Sequence, residues 1–185
     1  MPYDFSQISV LLVDDSLYMR RLVRSLLNGL GVRNILEAED GAAAIEVFQQ
    51  NPCDIIITDW VMPVFDGLEL TAAVRNPDGE NPYTPIIMLS GYSERSRVIQ
   101  ARDAGVTEFL CKPISAKQLY LRLESCIAHP RPFIRTQTFF GPDRRRFVHP
   151  NYTGDKKREN DVDDDVEDDF DDDDLDQEAN AAVAK

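Results

Sequence analysis

Acidic, hydroxyl and basic side chains stand where four apolar runs of this 185-residue chain stop. They are Asp14 and Asp15, Asp59, Ser90 and Lys112. A carboxylate in such a position can act as a nucleophile, bind a metal ion or cap a helix. Taken singly, the serine can start a turn and the lysine can be a surface charge. The residues together favour one shared chemical site.

Three carboxylates that converge repel one another and raise one another's pKa unless a cation neutralises them. Lys112 supplies one positive charge, and a hard divalent ion with oxygen ligands, for which Mg²⁺ is the best match, supplies the rest. Such a site suits phosphoryl transfer, because a carboxylate can attack a phosphoryl group to form an aspartyl phosphate. Lys112 and the metal ion would offset charge on the transferring oxygens, and the Ser90 hydroxyl could donate to them.

These side chains meet only if the apolar runs are parallel strands, whose carboxyl ends share one edge of a sheet. The run Ile55-Ile56-Ile57 is typical of a strand buried on both faces. Strand and helix patterns alternate five times, which predicts an α/β doubly wound parallel sheet with helices on both faces. The predicted strands lie near 8–13, 35–36, 55–59, 85–90 and 109–112, and the predicted helices near 16–31, 42–50, 68–76, 93–104 and 115–129.

At these residues the chain resembles the receiver domains of two-component response regulators. The resemblance covers about residues 5–128, and the segment around Asp59-Trp60 is most similar to stand-alone chemotaxis regulators. It implies a flavodoxin-like sheet with strand order 2-1-3-4-5. The matching motifs are Asp14-Asp15, Asp59-x-x-Met62-Pro63-x-x-Asp66-Gly67, Ser90-Gly91 and Lys112-Pro113.

The resemblance also implies a role for each site residue. Asp59 would be the phosphoacceptor, and Asp14, Asp15, Asp59 and the backbone oxygen of Val61 would bind Mg²⁺. Lys112 would contact the phosphoryl group and be followed by a cis bond to proline.

Phe109 matches the switch aromatic of this family, which turns inward as Ser90 moves toward the phosphate; the same residue is also typical of a core ring. Receivers vary at two positions that tune the lifetime of the phosphate, and here these are Val61 and Tyr92. Neither offers a carboxylate or an amide to orient an attacking water. We therefore expect slow self-dephosphorylation, with Tyr92 shielding the site.

The source of the phosphoryl group is expected to be another molecule, because both histidines, His129 and His149, follow the last predicted helix. A histidine kinase, a histidine phosphotransfer protein or a small acyl phosphate would supply it. The three cysteines have neither metal-ligand nor CxxC spacing, which is typical of a reducing compartment. No apolar run approaches the ~20 residues of a membrane span, and the start lacks a signal-peptide pattern. We expect a cytoplasmic protein with no membrane partner.

Charge divides the chain into three parts. Residues 1–128, the predicted receiver domain, have 11 basic and 17 acidic side chains. Residues 129–160 have 8 basic and 3 acidic side chains and are rich in proline and aromatic residues. Residues 161–185 have 1 basic and 13 acidic side chains and are predicted to be a disordered, non-globular tail. This tail could shield the basic extension in competition with an acidic partner.

The extension contains five candidate partner-binding residues: Phe139, Phe140, Arg144, Arg145 and Arg146. Basic side chains between aromatic ones can dock on a protein, either this chain or another, or can bind nucleic acid. A flexible linker is the third interpretation. The extension is too short for a helix-turn-helix unit with its own core.

The leading hypothesis is a single-domain response regulator whose output is phosphorylation-controlled protein binding, and which catalyses only its own phosphoryl transfer and dephosphorylation. A phosphate sink or phosphorelay intermediate is the first alternative. A nucleic-acid-binding regulator that uses Arg144–Arg146 is the second. A metal-dependent phosphatase fits less well, because no second acid stands two residues after Asp59, where the chain has Val61.

Overall fold

The computed structural model describes residues 3–79, 81–92, 94–136 and 138–144. The end of the basic extension and the whole acidic tail lie outside these residues. Strands and helices alternate as predicted, and a hairpin of two short strands follows them. The elements are β1 Ser9–Val13, α1 Leu17–Gly29, β2 Asn34–Ala38, α2 Gly41–Gln50, β3 Ile55–Asp59, α3 Gly67–Val74, β4 Ile86–Ser90, α4 Arg95–Ala104, β5 Glu108–Cys111, α5 Ala116–Ala128, β6 Phe133–Arg135 and β7 Phe140–Pro142.

The first five strands form one parallel sheet in the order β2-β1-β3-β4-β5, which confirms the predicted fold class and strand order. Alternate residues of the central strands face opposite sides because side chains in a strand alternate between its two faces. Leu12 and Ile57 pack in one apolar cluster with α1 and α5, whereas Leu11 and Ile56 pack in another with α2 and α3. The sheet is therefore covered on both faces.

The helix starts are fixed by side chains that accept hydrogen bonds from the first turn. Ser16, Asp40, Asp66 and Ser115 cap α1, α2, α3 and α5, and the caps of α3 and α5 are complete capping boxes. At α1 the cap is Ser16, so Asp14 and Asp15 are not the capping side chains. In the described part of the chain, no helix has the length and apolar character needed to cross a bilayer.

Strands β6 and β7 form an antiparallel hairpin that the sequence analysis did not predict. It packs against the amino edge of the large sheet, where β4 and β5 begin. The Phe133 and Phe140 rings contact the Tyr83 ring at centroid distances of 5.1 and 5.4 Å. A β-carbon added to Gly141 would lie 3.1 Å from the Cα of Gly105, so the hairpin backbone approaches the end of α4 very closely. The first part of the extension therefore docks on the receiver of its own chain.

Candidate functional site

Three carboxylates and one ammonium group meet at the carboxyl edge of the sheet. One carboxylate oxygen from each of Asp14, Asp15 and Asp59 lies within 4.8 Å of the others. Lys112 Nζ lies 2.9 Å from Asp59 Oδ1 and 3.2 Å from Asp14 Oδ2. The structure thus brings together the four charged residues that end β3 or directly follow β1 and β5, as the parallel topology requires.

Backbone contacts fix the two buried acids. Asp14 follows β1 and is fully buried, and its Oδ1 accepts a hydrogen bond from the N–H of Ser16 at 2.9 Å. Asp59 is the last residue of β3, and its Oδ1 accepts the N–H of Trp60 at 2.9 Å. Asp15 is exposed. The site is therefore open on the Asp15 side and closed on the Asp14 side.

The loop from β3 to α3 turns tightly around Asp59. Gly67 N–H donates to Trp60 O at 3.0 Å, and a β-carbon on Gly67 would lie 2.2 Å from Asp59 O. Only glycine fits this approach. Within the same loop, Val64 has φ +68°, a left-handed conformation that is unfavourable for a β-branched residue, and its side chain is 92% exposed.

The pKa of Asp59 is raised, chiefly by burial and further by the neighbouring Asp14 charge, while Lys112 and the Trp60 N–H oppose the shift. Burial alone would lower the pKa of Lys112, but its contacts with Asp59 and Asp14 outweigh this and raise it. Lys112 is therefore fully charged at neutral pH, yet its single charge leaves the carboxylates in excess.

This oxygen-rich, undercompensated group fits a hard divalent cation such as Mg²⁺. Asp14, Asp15 and Asp59 are the side chains that could hold it. Val61, whose backbone oxygen the family resemblance adds to the set, follows Asp59 by two residues in the same loop, with its side chain mostly exposed.

Ser90 and Phe109 occupy neighbouring strands at this edge. Ser90 ends β4, is buried, and its Oγ accepts the N–H of Tyr92 at 3.0 Å. Phe109 lies within β5 with its ring buried, and it contacts the Trp60 indole edge-to-face at 6.1 Å. The peptide bond from Lys112 to Pro113 is cis, as expected. Ser90 thus lies on the strand next to that of Asp59, and Phe109 contacts Trp60, the residue that follows Asp59.

The candidate partner-binding residues divide into two groups. The Phe140 ring packs against the rings of Phe133 and Tyr83. The Arg144 guanidinium lies 4.0 Å from the Phe139 ring centroid, and its Nη1 lies 3.2 Å from Asp103 Oδ1. These three residues contact the receiver or the hairpin itself. Arg145 and Arg146 lie outside the described residues.

Sequence reasoning missed a second polar cluster at the amino edge. Glu108 begins β5 and is buried; Ser125 Oγ lies 3.1 Å and Arg131 Nη2 3.3 Å from its Oε1, and Arg122 Nη1 lies 3.4 Å from its Oε2. The guanidinium of the buried Arg75 donates to the backbone oxygens of Gly105, Pro82 and Thr84. The one signal in the sequence was an acidic residue at the start of an otherwise apolar strand.

Comparison with known proteins agrees with this geometry. Residues 10–124 match the family model of the response regulator receiver domain. Chemotaxis protein CheY-3 of Vibrio cholerae is 36% identical over 117 residues, which cover 63% of this chain and 89% of the relative. Chemotaxis protein CheY of Pseudomonas aeruginosa is also 36% identical over 117 residues, covering 63% of this chain and 94% of the relative.

Solved structures show the same likeness. The structure of Vibrio cholerae chemotaxis protein CheY4 is 33% identical, with a TM-score of 0.59, and the match covers 63% of this chain and 96% of that one. A putative response regulator from Chloroflexus aurantiacus is 28% identical, with a TM-score of 0.62, over 66% of this chain and 98% of that one. The hairpin follows the residues that match the family model. On the family model and these relatives together, the chain belongs to the response regulator receiver domain family.

Proposed function

We propose that this chain is a single-domain response regulator that accepts a phosphoryl group on Asp59 from a histidine kinase or a histidine phosphotransfer protein, with Mg²⁺ as its cofactor. One observation carries the proposal: the Asp14, Asp15 and Asp59 carboxylates converge within 4.8 Å, and Lys112 contacts two of them. A receiver with this arrangement has both the nucleophile and part of the charge compensation that phosphoryl transfer needs.

The two oxygens of Asp59 have different tasks. Oδ1 accepts the Trp60 N–H and contacts Lys112, which orients the carboxylate and leaves Oδ2 as the attacking atom. A bond forms from Oδ2 to phosphorus while the bond from phosphorus to the donor nitrogen or oxygen breaks, and the donor leaves with that electron pair. Lys112 stabilises the transferring oxygens by charge. Mg²⁺, when bound by the carboxylates, supplies further positive charge at the same oxygens.

We further propose that the output is protein binding through the surface of α4, β5 and α5. A phosphoryl group adds charge at Asp59 and shifts a two-state equilibrium, which Ser90 and Phe109 would pass to this surface. The contact of Phe109 with Trp60, the residue after the acceptor, supports this route. The sparse core of α4, which has one buried residue, Ala101, supports a helix that can be repositioned.

The remaining assignments are also part of this proposal. The chain would catalyse only its own phosphorylation and dephosphorylation and would act in the cytoplasm, a reducing compartment that suits its free cysteines. The contacts of Arg144 with Phe139 and Asp103 favour protein docking over nucleic-acid binding for that residue.

The test is intact-mass measurement after incubation with acetyl phosphate and Mg²⁺. The wild type should gain one phosphoryl group, and either Asp59→Asn or an excess of EDTA should abolish the gain. Asp78→Asn, which removes one exposed carboxylate from the loop before β4, is the matched control and should be phosphorylated normally. No gain in the wild type, or a gain that survives Asp59→Asn, would show that the proposed site is wrong.

A pull-down addresses the output. Wild type, Asp59→Asn and a form lacking residues 129–185 are compared with and without acetyl phosphate. Partners captured only by the phosphorylated wild type and by the phosphorylated truncated form support output through the receiver. Rapid return of phosphate from Asp59 to a histidine protein, with no phosphorylation-dependent partner, would instead indicate a phosphate sink or relay.

A further inference from the structure

One guanidinium contacts two aromatic rings beside the acceptor. Arg97 lies in the first turn of α4, and its Cζ is 4.4 Å from the Tyr92 ring centroid and 5.4 Å from the Trp60 ring centroid. Both distances are within the ~6 Å range of cation–π attraction. The side chain of Arg97 thereby joins the loop after β3 to the loop after β4.

Each of these rings belongs to a residue whose backbone N–H donates a hydrogen bond to a side chain of the candidate site. Trp60 follows Asp59, and its N–H donates to Asp59 Oδ1 at 2.9 Å. Tyr92 lies two residues after Ser90, and its N–H donates to Ser90 Oγ at 3.0 Å. The guanidinium of Arg97 therefore acts on the two loops that carry the acceptor and the hydroxyl.

The two rings differ in how firmly they are held. The Trp60 indole is buried and packs against Phe109. The Tyr92 ring is half exposed, and the start of α4 behind it has no side-chain cap from Glu94. Arg97 thus links a half-exposed ring to a buried one, so removal of the guanidinium should affect Tyr92 more than Trp60.

We propose that Arg97 is a positioning residue that holds Tyr92 over the phosphoryl pocket and thereby prolongs the lifetime of phospho-Asp59. This inference rests on the proposed phosphorylation of Asp59. In hydrolysis, a water oxygen forms a bond to phosphorus, and the bond from phosphorus to the Asp59 oxygen breaks with its electron pair returning to the carboxylate. Inorganic phosphate leaves, and the proton lost by the water passes to solvent. Arg97 forms and breaks no bond in this reaction; it acts by keeping the ring in the path of the water.

The experiment labels the full chain with acetyl phosphate and Mg²⁺, removes the donor and follows the loss of the phosphoryl group by intact mass. Arg97→Gln should shorten the lifetime about fivefold, the factor expected for loss of one cation–π contact. Arg97→Lys, which keeps the cation, should restore most of it. Arg33→Gln, the same charge change on the exposed loop before β2, is the control and should leave the lifetime unchanged.

A double-variant cycle shows whether Arg97 acts through Tyr92. Tyr92→Ala should shorten the lifetime, and adding Arg97→Gln to it should shorten it no further. The emission of Trp60, the single tryptophan, should change in Arg97→Gln and not in Arg33→Gln.

Two results would overturn the inference: equal lifetimes in wild type and Arg97→Gln, or independent effects of the two substitutions in the cycle. If the wild type takes up no phosphoryl group, the proposed function and this inference fail together. If it does and the lifetimes agree, only the inference fails.

Discussion

At the carboxyl edge of the sheet three carboxylates share one lysine, whereas at the amino edge one glutamate contacts two arginines and a serine. Both edges hold a buried acid in the same fold. At the carboxyl edge the negative charge is in excess, the pKa of Asp59 is raised by burial, and Asp15 is open to solvent. At the amino edge Glu108 is closed over, with Arg131 reaching it from the extension.

This difference in charge balance suits the carboxyl edge to reactivity and the amino edge to stability. A buried charge with full compensation stabilises the fold only weakly against an apolar alternative, but breaking it by removal of one partner is costly. An undercompensated acidic cluster destabilises the fold and attracts cations, which offset its excess negative charge. We therefore expect substitutions at the carboxyl edge to change chemistry and those at the amino edge to change stability, and four experiments test this contrast.

The largest effect is expected at Asp59, the proposed phosphoacceptor. Asp59→Asn should abolish phosphoryl uptake while leaving the free energy of unfolding unchanged or slightly higher without Mg²⁺, because an ionised carboxylate with a raised pKa destabilises the fold. The ionised form is penalised above the folded-state pKa, so this gain should shrink as the pH falls through the carboxyl range. Urea denaturation at several pH values measures it. A large loss of stability in Asp59→Asn would break the contrast.

The reverse outcome is expected at Glu108. Glu108→Ala should lower the free energy of unfolding by about 3–5 kcal/mol, since it leaves the guanidinium groups of Arg122 and Arg131 without their buried partner. The folded fraction should still take up one phosphoryl group. Glu46→Ala, which removes an exposed glutamate from α2, is the control and should change stability by less than about 0.5 kcal/mol. A neutral Glu108→Ala would show that the amino-edge cluster is dispensable.

A truncation series sharpens the same point. A chain ending at residue 128 loses the pairing of Arg131 and the packing of Phe133 and Phe140, whereas a chain ending at residue 144 keeps them. The shorter form should unfold at lower urea concentration, with a loss of about 2 kcal/mol, because the chain entropy of ordering the hairpin offsets part of its contacts. The longer form should match the wild type. Equal stability of both forms would mean that the hairpin adds nothing to the receiver.

The smallest effect concerns the close approach of two glycines. Gly141→Ala would place a β-carbon 2.8 Å from a ring atom of Phe139 and 3.1 Å from the Cα of Gly105. The ring can move but the backbone cannot, so we expect a loss of about 1 kcal/mol, less than removal of the whole hairpin, measured by urea denaturation. Gly29→Ala, at a position with no atom within 4 Å, is the control and should be neutral or slightly stabilising. If Gly141→Ala leaves the free energy of unfolding unchanged, the hairpin lies farther from α4 than the structure shows.

The sheet and the convergence of charged side chains at its carboxyl edge could be predicted because both follow from local patterns. Ile55–Ile57 identified the central strand, and parallel topology then required Asp14, Asp59 and Lys112 to meet. Whether an aspartate or Ser16 caps α1 could not be decided from the sequence, since both residue types are good caps; the structure shows that Ser16 is the cap.

The hairpin could not be predicted, because its strands have three residues each and show no alternation long enough to recognise. They are held by distant partners: Glu108, Tyr83 and Gly105 stand 23 or more residues before the segments they contact. The contacts of Arg97 could not be predicted either, because they join it to the rings of Trp60 and Tyr92 in two different loops. Tertiary contacts, not propensity, decide both features.

The backbone conformation of Val64 has a consequence for the thermal stability of the protein. Val64 has φ +68° and an exposed side chain, so it makes few packing contacts. Its strained backbone lowers the free energy of unfolding by about 1 kcal/mol. Glycine or asparagine would adopt the same backbone at ease, so a replacement there should raise the melting temperature by a few degrees. A more heat-resistant form of this protein can therefore begin from a single surface position, five residues after Asp59, without altering any charge.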